Sequence, residues 1–212
     1  MPFSSVLGAS SVIKPGVCTS TTRPTVPYEG QLIYETDTDM VASYNGSAWV
    51  YTATSGLVLI KSQTIGSAVS SVAVSDVFSS TYENYLITLN GGSASTSMDL
   101  NLTLGSTATG YYWGILFRTY AGVSSGASGS NTTSFLFGSG QPASLVANCT
   151  VSSPNLAKNT HFVTHYGGAA TTSAGSICGG YLADTTQYTA FTLTTSTGTI
   201  TGGTIRVYGY RN

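Results

Sequence analysis

The residues able to do chemistry are few in this chain of 212, and their spacing limits what each can do. "GVSSG" at residues 122–126 matches the Gly-x-Ser-x-Gly pattern of a serine nucleophile. That elbow needs a strand, a sharp turn and a helix around it. Here it sits in a Ser/Gly stretch, and a chance match is the better reading. His161 and His165 are four residues apart, which in a strand puts both on one face. A zinc site needs further ligands, and no third one is close in sequence. Glu35, Asp37 and Asp39 in "ETDTD" set three carboxylates at alternate positions, a pattern that could meet an oxygen-liganded cation. The glycine and distal glutamate of a calcium loop are missing, and Asp-Thr-Asp is ordinary turn chemistry. Paired acids for glycan cleavage would have to come from Asp76, Glu83, Asp99 or Asp184, and nothing singles out two of them. The expectation is a chain with no catalytic residue, no metal and no cofactor.

Aromatic groups offer more. "TGYYWG" at residues 109–114 sets Tyr111, Tyr112 and Trp113 beside glycine, where a ring can be presented to a sugar or to a neighbouring chain. Strand alternation points Tyr112 away from the side shared by Tyr111 and Trp113, so one side goes to a core. With Tyr120, these are the candidate receptor or interface residues. Cys18, Cys149 and Cys178 are an odd number at wide spacing, which fits neither a disulfide framework nor a zinc site. Free thiols are expected, and Cys149 could pair with Cys178 only across neighbouring strands. The Asn-x-Ser/Thr sequons at Asn45, Asn101, Asn131 and Asn148 read as by-products of an Asn/Thr-rich surface.

The elements that must carry these residues are strands. From residue 56 onward, apolar residues alternate or form short runs between Gly, Ser, Thr and Asn, the period of two expected of strands. Ten are expected, starting at Leu57, Val69, Asn84, Met98, Tyr111, Thr133, Ser144, His161, Tyr188 and Thr204. Residues 121–134 and 167–176, made of small residues, read as loops. The best helical candidate, "SDVFSSTYENY", reads as an elbow between strands. The fold class is all-β, with a small N-terminal β-meander followed by a jelly-roll-like antiparallel β-sandwich.

Composition adds a constraint. Charged residues are 7% of the chain and apolar ones 41%, against roughly 25% charged in an ordinary globular protein. The solvent face must then be built from hydroxyls and amides, a skin suited to permanent assembly. A net charge of −1, with seven Lys and Arg scattered along the chain, leaves no basic stripe for nucleic acid. No apolar run approaches the roughly 20 residues of a membrane-spanning helix. The start lacks the basic and apolar regions of a signal peptide, so synthesis and use without the secretory route are expected.

Three segments follow: an arm over residues 1–22, a docking module over 23–54 and the sandwich over 55–212. In the module, Pro24 and Pro27 hold the approach extended. "GQLIYET", "MVASY" and "AWVYTA" then supply three strands joined by "DTD" and by Asn45-Gly46. About 30 residues of meander are too few to be stable alone. "RPTVPYEGQLIYETDTDMVASYNGSAW", residues 23–49, resembles a segment recurring in tail, fibre and other virion structural proteins of tailed bacteriophages. "VFSSTYENYLITL" and the terminal "GTIRVYGYRN" look like the start and end of a β-sandwich found at the distal end of such proteins. The resemblance implies a non-enzymatic virion component, assembled in the host cytoplasm as a homotrimer, with the module facing the particle and the sandwich facing outward. Arg23, Pro24, Tyr28, Tyr34, Tyr44 and Trp49 are the candidate docking residues. Two roles compete: a short fibre or spike that binds a host cell-surface glycan or protein, and a capsid decoration or tail adaptor protein that touches only other virion proteins.

Overall fold

The structure, a computed structural model, describes residues 15–51, 56–167 and 173–211. The chain divides into two compact units, Met1–Ser55 and Gly56–Asn212. Among the described residues there is no helix, and therefore none long and apolar enough to cross a membrane.

In the first unit, β1 (Gly16–Cys18), β2 (Leu32–Glu35), β3 (Met40–Tyr44) and β4 (Trp49–Tyr51) lie side by side in that order. The expected meander is β2–β3–β4, antiparallel throughout. The Asn45 side chain closes its second turn by accepting the N–H groups of Ser47 (3.0 Å) and Ala48 (2.8 Å). The strand β1 adds to this sheet in parallel, with Val17 opposite Tyr34. Residues 15–22 of the expected arm therefore have a partner inside the module, and residues 1–14 lie outside the described residues.

The second unit contains β5 (Leu57–Thr64), β6 (Ser71–Val74), β7 (Asn84–Asn90), β8 (Ser93–Ala94), β9 (Met98–Leu104), β10 (Tyr111–Thr119) and β11 (Ser124–Thr132). It continues with β12 (Phe135–Gln141), β13 (Ser144–Ser152), β14 (Thr160–Gly167), β15 (Ser173–Leu182), β16 (Phe191–Thr195), β17 (Ile200–Thr201) and β18 (Thr204–Tyr210). Eight strands make one antiparallel sheet in the order β11-β10-β15-β14-β13-β7-β18-β5, and four make a second in the order β12-β9-β16-β6. The β12–β13 hairpin joins the two sheets at one side. At the other, Lys61 Nζ and Gln63 Nε2 on β5 donate to the carbonyls of Ser75 (2.8 Å) and Ala73 (3.0 Å) beside and on β6. All ten expected strands are present in whole or part, and the elbow at residues 75–83 is irregular, as expected. The sheets are unequal, whereas a jelly roll uses eight strands in two Greek keys.

Two stretches read as loops are strands. Residues 124–132 form β11 on the rim of the large sheet, and β15 begins at Ser173 inside the stretch 167–176. Residues 168–172 lie outside the described residues. Small residues are permitted in these strands because a large neighbour fills their space. A Cβ on Gly129 would lie 2.5 Å from the Trp113 indole, and one on Gly180 would meet the Tyr112 carbonyl oxygen and the Trp113 backbone.

Alternation builds the core. Along β14, Phe162, Thr164 and Tyr166 are buried while His161, Val163 and His165 face out. β13 does the same with Leu145, Ala147, Cys149 and Val151 inward. The inward rows of the two sheets meet in one cluster that includes Tyr85, Leu102, Tyr111, Phe135, Phe162 and Phe191, as the hydrophobic effect requires of two half-apolar sheets.

Candidate interaction surfaces

In the small unit, the sheet is centred on a charge. Glu35 is wholly buried beside Ile33 and Ala42. Its Oε1 accepts the Nε–H of Arg23, and its Oε2 accepts the hydroxyls of Tyr51 (3.0 Å) and Thr38 (3.2 Å). Arg23 also donates to the Tyr51 oxygen (3.2 Å). The Arg23 hydrogen bond, followed by those of Tyr51 and Thr38, holds the Glu35 carboxyl below its ordinary range, against the opposing effect of burial. The other two acids of "ETDTD" point elsewhere. Asp37 accepts the backbone N–H (2.8 Å) and hydroxyl of Ser20, and Asp39 accepts the Tyr34 hydroxyl (2.8 Å). Each carboxylate serves a separate structural bond, and the three do not converge.

These bonds sort the candidate docking residues. Arg23 and Tyr34 are committed to internal partners, and Tyr44 and Trp49 pack on each other with ring centroids 5.4 Å apart. Pro24 is half-buried. Tyr28, 69% exposed, is free to meet a partner, together with Val26 (89%), Val17, Leu32 and Val50. Sequence reading missed Glu35 and Tyr51 as the centre of the module. An acid placed within the strand "LIYE" was the available signal.

In the large unit, the four candidates of "YYWG" and its neighbourhood separate. Tyr111 is wholly buried, donates from its hydroxyl to the Thr107 carbonyl (3.3 Å) and accepts the N–H of Leu104 (2.7 Å). Burial pushes its hydroxyl up to about 12. It has no surface to offer a partner, which removes it from the candidate set. Trp113 also points inward and donates to the Thr132 hydroxyl (3.1 Å). Tyr112 points outward, as alternation required, and stacks on Tyr181 of β15 at 5.2 Å and 12°. His161 on β14 continues that line against Tyr181 at 5.9 Å. Tyr120 is 70% exposed at the β10–β11 turn.

Cys149 and Cys178 are free and buried. Thr164 stands between them, paired with Cys149 on one side and with Cys178 on the other. Two strand spacings, about 9.6 Å, exceed the Cα separation of about 7 Å that a disulfide can span. Burial raises both thiols, Cys178 to about 12. "GVSSG" spans a turn and the start of β11, with Gly122 at φ 81°, and lacks the helix of a nucleophile elbow.

The outward face of the eight-stranded sheet also exposes Leu116, Ile177, Val163, Val146 and Leu59. Two open depressions lie on it. One, about 350 Å³, is lined by Leu116, Arg118, Ser124, Gly175 and Ile177 among others. The other, about 290 Å³, is lined by Val146, Asn148, His165 and Gly167 among others. Residues 177–182 were not among the expected strands, so the β15 part of this face was missed. The alternation of Ile177, Gly179 and Tyr181 against Cys178 and Leu182 could have revealed it. Comparison with protein-family models, curated proteins and solved structures finds no match to the chain.

Proposed function

We propose that the chain is a structural component of a tailed-bacteriophage virion, attached to the particle through its N-terminal module and presenting the β-sandwich outward. The observation that carries this reading is the module's division of labour. Its buried centre is a hydrogen-bonded ion pair, while Val17, Leu32 and Val50 remain uncovered on a sheet of only four short strands, with Val26 and Tyr28 exposed on the segment between β1 and β2. So small a sheet gains stability by covering its apolar side chains on a larger body. The resemblance of residues 23–49 to virion proteins supplies the kind of body. Assembly in the host cytoplasm and a place on the particle follow from the same reading, with no enzymatic role.

The test uses the full chain and phage particles grown without it. The wild-type chain is expected to be incorporated, and a Val26→Asp/Tyr28→Asp variant, altered only at exposed positions, to be left in solution. No incorporation of the wild type would overturn the reading. Free chain that blocks adsorption to host cells supports the fibre or spike role. Incorporation without such a block supports the decoration or adaptor role.

A further inference from the structure

The registers of β10, β15 and β14 place outward residues in four rows across the sheet. Tyr112, Tyr181 and His161 form the first row; Gly114, Gly179 and Val163 the second; Leu116, Ile177 and His165 the third; Arg118, Gly175 and Gly167 the fourth. In the second row two glycines stand side by side in the interior of a wide sheet, and nothing lies within 4 Å of the space a Cβ on Gly114 would take. Glycine inside a strand costs about 0.5–1 kcal/mol relative to alanine and often marks a close approach by another body. The next row is a ridge, with Leu116 68% and Ile177 46% exposed. A bare trough thus runs beside a projecting apolar ridge.

We propose that this face pairs with the same face of a second copy about a two-fold axis. The axis lies in the interface, parallel to the rows and midway between the trough and the ridge. Such an axis sets each second-row residue opposite a third-row residue of the same strand, and each first-row residue opposite a fourth-row one. Leu116 then enters the space over the other copy's Gly114, and Ile177 that over its Gly179. Val163 meets His165. In the outer rows, Arg118 faces the ring of Tyr112, a cation–π geometry, and Tyr181 and His161 face Gly175 and Gly167. In the β10 and β15 columns every large side chain meets a small or complementary one, and no like charges meet in the three columns.

Charge and size agree with a second copy as the occupant. The eight strands contain no Asp or Glu and three cations, Lys61, Arg118 and Arg206, of which Lys61 is turned to Ser75, so charge is sparse, as at the centre of protein interfaces. Eight strands at about 4.8 Å, with four outward residues each at about 6.8 Å, give a face of roughly 1,000 Å². A standard interface takes about 800 Å² from each partner. Twist lets such faces meet at roughly 30°, so the fit is closest in the columns near the centre of contact. The pairing is two-fold, in place of the trimer that the family resemblance implies. It deepens the virion reading by naming one partner, and it rests on that reading only for its purpose.

The experiment uses the full chain carrying Cys18→Ser, which removes the one thiol that is not buried. Sedimentation over a concentration series is expected to show a dimer. Leu116→Glu, at an exposed position, is expected to raise the dimer dissociation constant at least about 30-fold, the size of an interface hot spot, with the circular dichroism spectrum unchanged. Mixing a tagged Gly114→Cys copy with an untagged Leu116→Cys copy and a short bismaleimide, whose reach covers the roughly 10 Å between packed sheets, is expected to give a mixed cross-link that neither copy forms alone. A monomer or a trimer at every concentration, or a dimer without the mixed cross-link, overturns the proposal. So does a monomer whose face binds a neutral oligosaccharide such as maltoheptaose. Particle incorporation is scored separately, so either idea can fail without the other.

Discussion

The two units hold themselves together by different means. The small one buries a carboxylate at its centre, with Ile33 and Ala42 as the only buried apolar residues among its described ones, and closes around Arg23, Tyr51 and Thr38. The large one has a continuous apolar core, and none of its described residues forms an ion pair. The difference follows from surface-to-volume scaling, because a sheet of four short strands encloses little space that water cannot reach. A bidentate polar node can order such a sheet through directional bonds to three of its segments, at the cost of holding a charge away from water. A two-layer sandwich needs no such device. The small unit is therefore specified by a few bonds and fails when one is removed, whereas the large unit is specified by area and loses stability in proportion to what is cut away.

The largest effect should come from cutting the apolar core. Phe162 stacks on Phe135 at 4.5 Å and leans on Tyr111 at 6.4 Å, and only 1% of it is exposed. Phe162→Ala should destabilise the large unit by about 3–5 kcal/mol through lost transfer energy and the cavity left behind, read as a shift in denaturant midpoint. The Arg23 and Glu35 amide signals, followed by NMR below the transition, should keep their positions. Loss of the module signals at the same denaturant concentration as the core would show that the two units do not differ in this way.

How much of this was legible in the sequence depends on what each residue reports. Strands with alternating large and polar residues, such as "NYLITLN" and "HFVTHY", announce themselves because burial on one face imposes a period of two. β11 and β15 did not, because their inward positions include Gly129 and Gly180, whose space is taken by Trp113 from the next strand. The filling side chain belongs to a residue with no fixed distance in sequence, so pattern reading sees only a run of Ser, Gly and Ala. The same blindness applies to sites. Alternation separated Tyr112 from Tyr111 and Trp113, but the partner Tyr181 lies 69 residues further along the chain, and only sheet order brings it alongside. Glu35 was read with its neighbours as turn chemistry. Asp37 instead accepts bonds from Ser20 and Asp39 from Tyr34, while Glu35, the last residue of β2, is buried and takes Arg23, Tyr51 and Thr38.

A smaller and more local effect should follow at the buried acid. Glu35→Gln leaves Arg23 without a counter-charge and is expected to loosen the module, seen as faster protease cleavage near residues 36–39 with the melting of the large unit unchanged. Acid should do the same to the wild type. The folded-state pKa of Glu35 is depressed, so its contribution is complete above the unfolded value of about 4.3 and is lost as pH falls through the lower folded value. Asp37, lowered by its bonds from Ser20, acts in the same direction. In the large unit the two shifted acids oppose each other. Asp184 is lowered by the Tyr188 and Thr186 hydroxyls, whereas burial raises Asp99, which becomes easier to accommodate as acid neutralises it. Protease susceptibility of the module should therefore rise below about pH 4 while the large unit changes little, and Glu35→Gln should flatten most of that slope. Parallel acid curves for the two units would remove the contrast.

The smallest effect is expected from salt, and it bears on what holds the outer surface together. Raising sodium chloride from 0.01 M to 1 M shortens the screening length from about 30 Å to about 3 Å, which weakens any fold or assembly that relies on exposed ion pairs. Charged residues make up only 7% of this chain, and the ion pair found among the described residues, Arg23 with Glu35, has its carboxylate buried. Screening reaches a buried pair poorly, and isolated exposed charges contribute little to begin with. The melting temperature of the large unit should therefore move by less than about 2 °C over that range, a shift that for a domain of this size corresponds to at most about 1 kcal/mol. Self-association through the glycine trough and the Leu116–Ile177 ridge should be as indifferent, because apolar contact does not depend on screening. A steep fall in oligomer size with salt would instead place the binding energy in Arg118 and Arg206, the arginines of the large sheet, and would move the interface to wherever an acidic partner meets them.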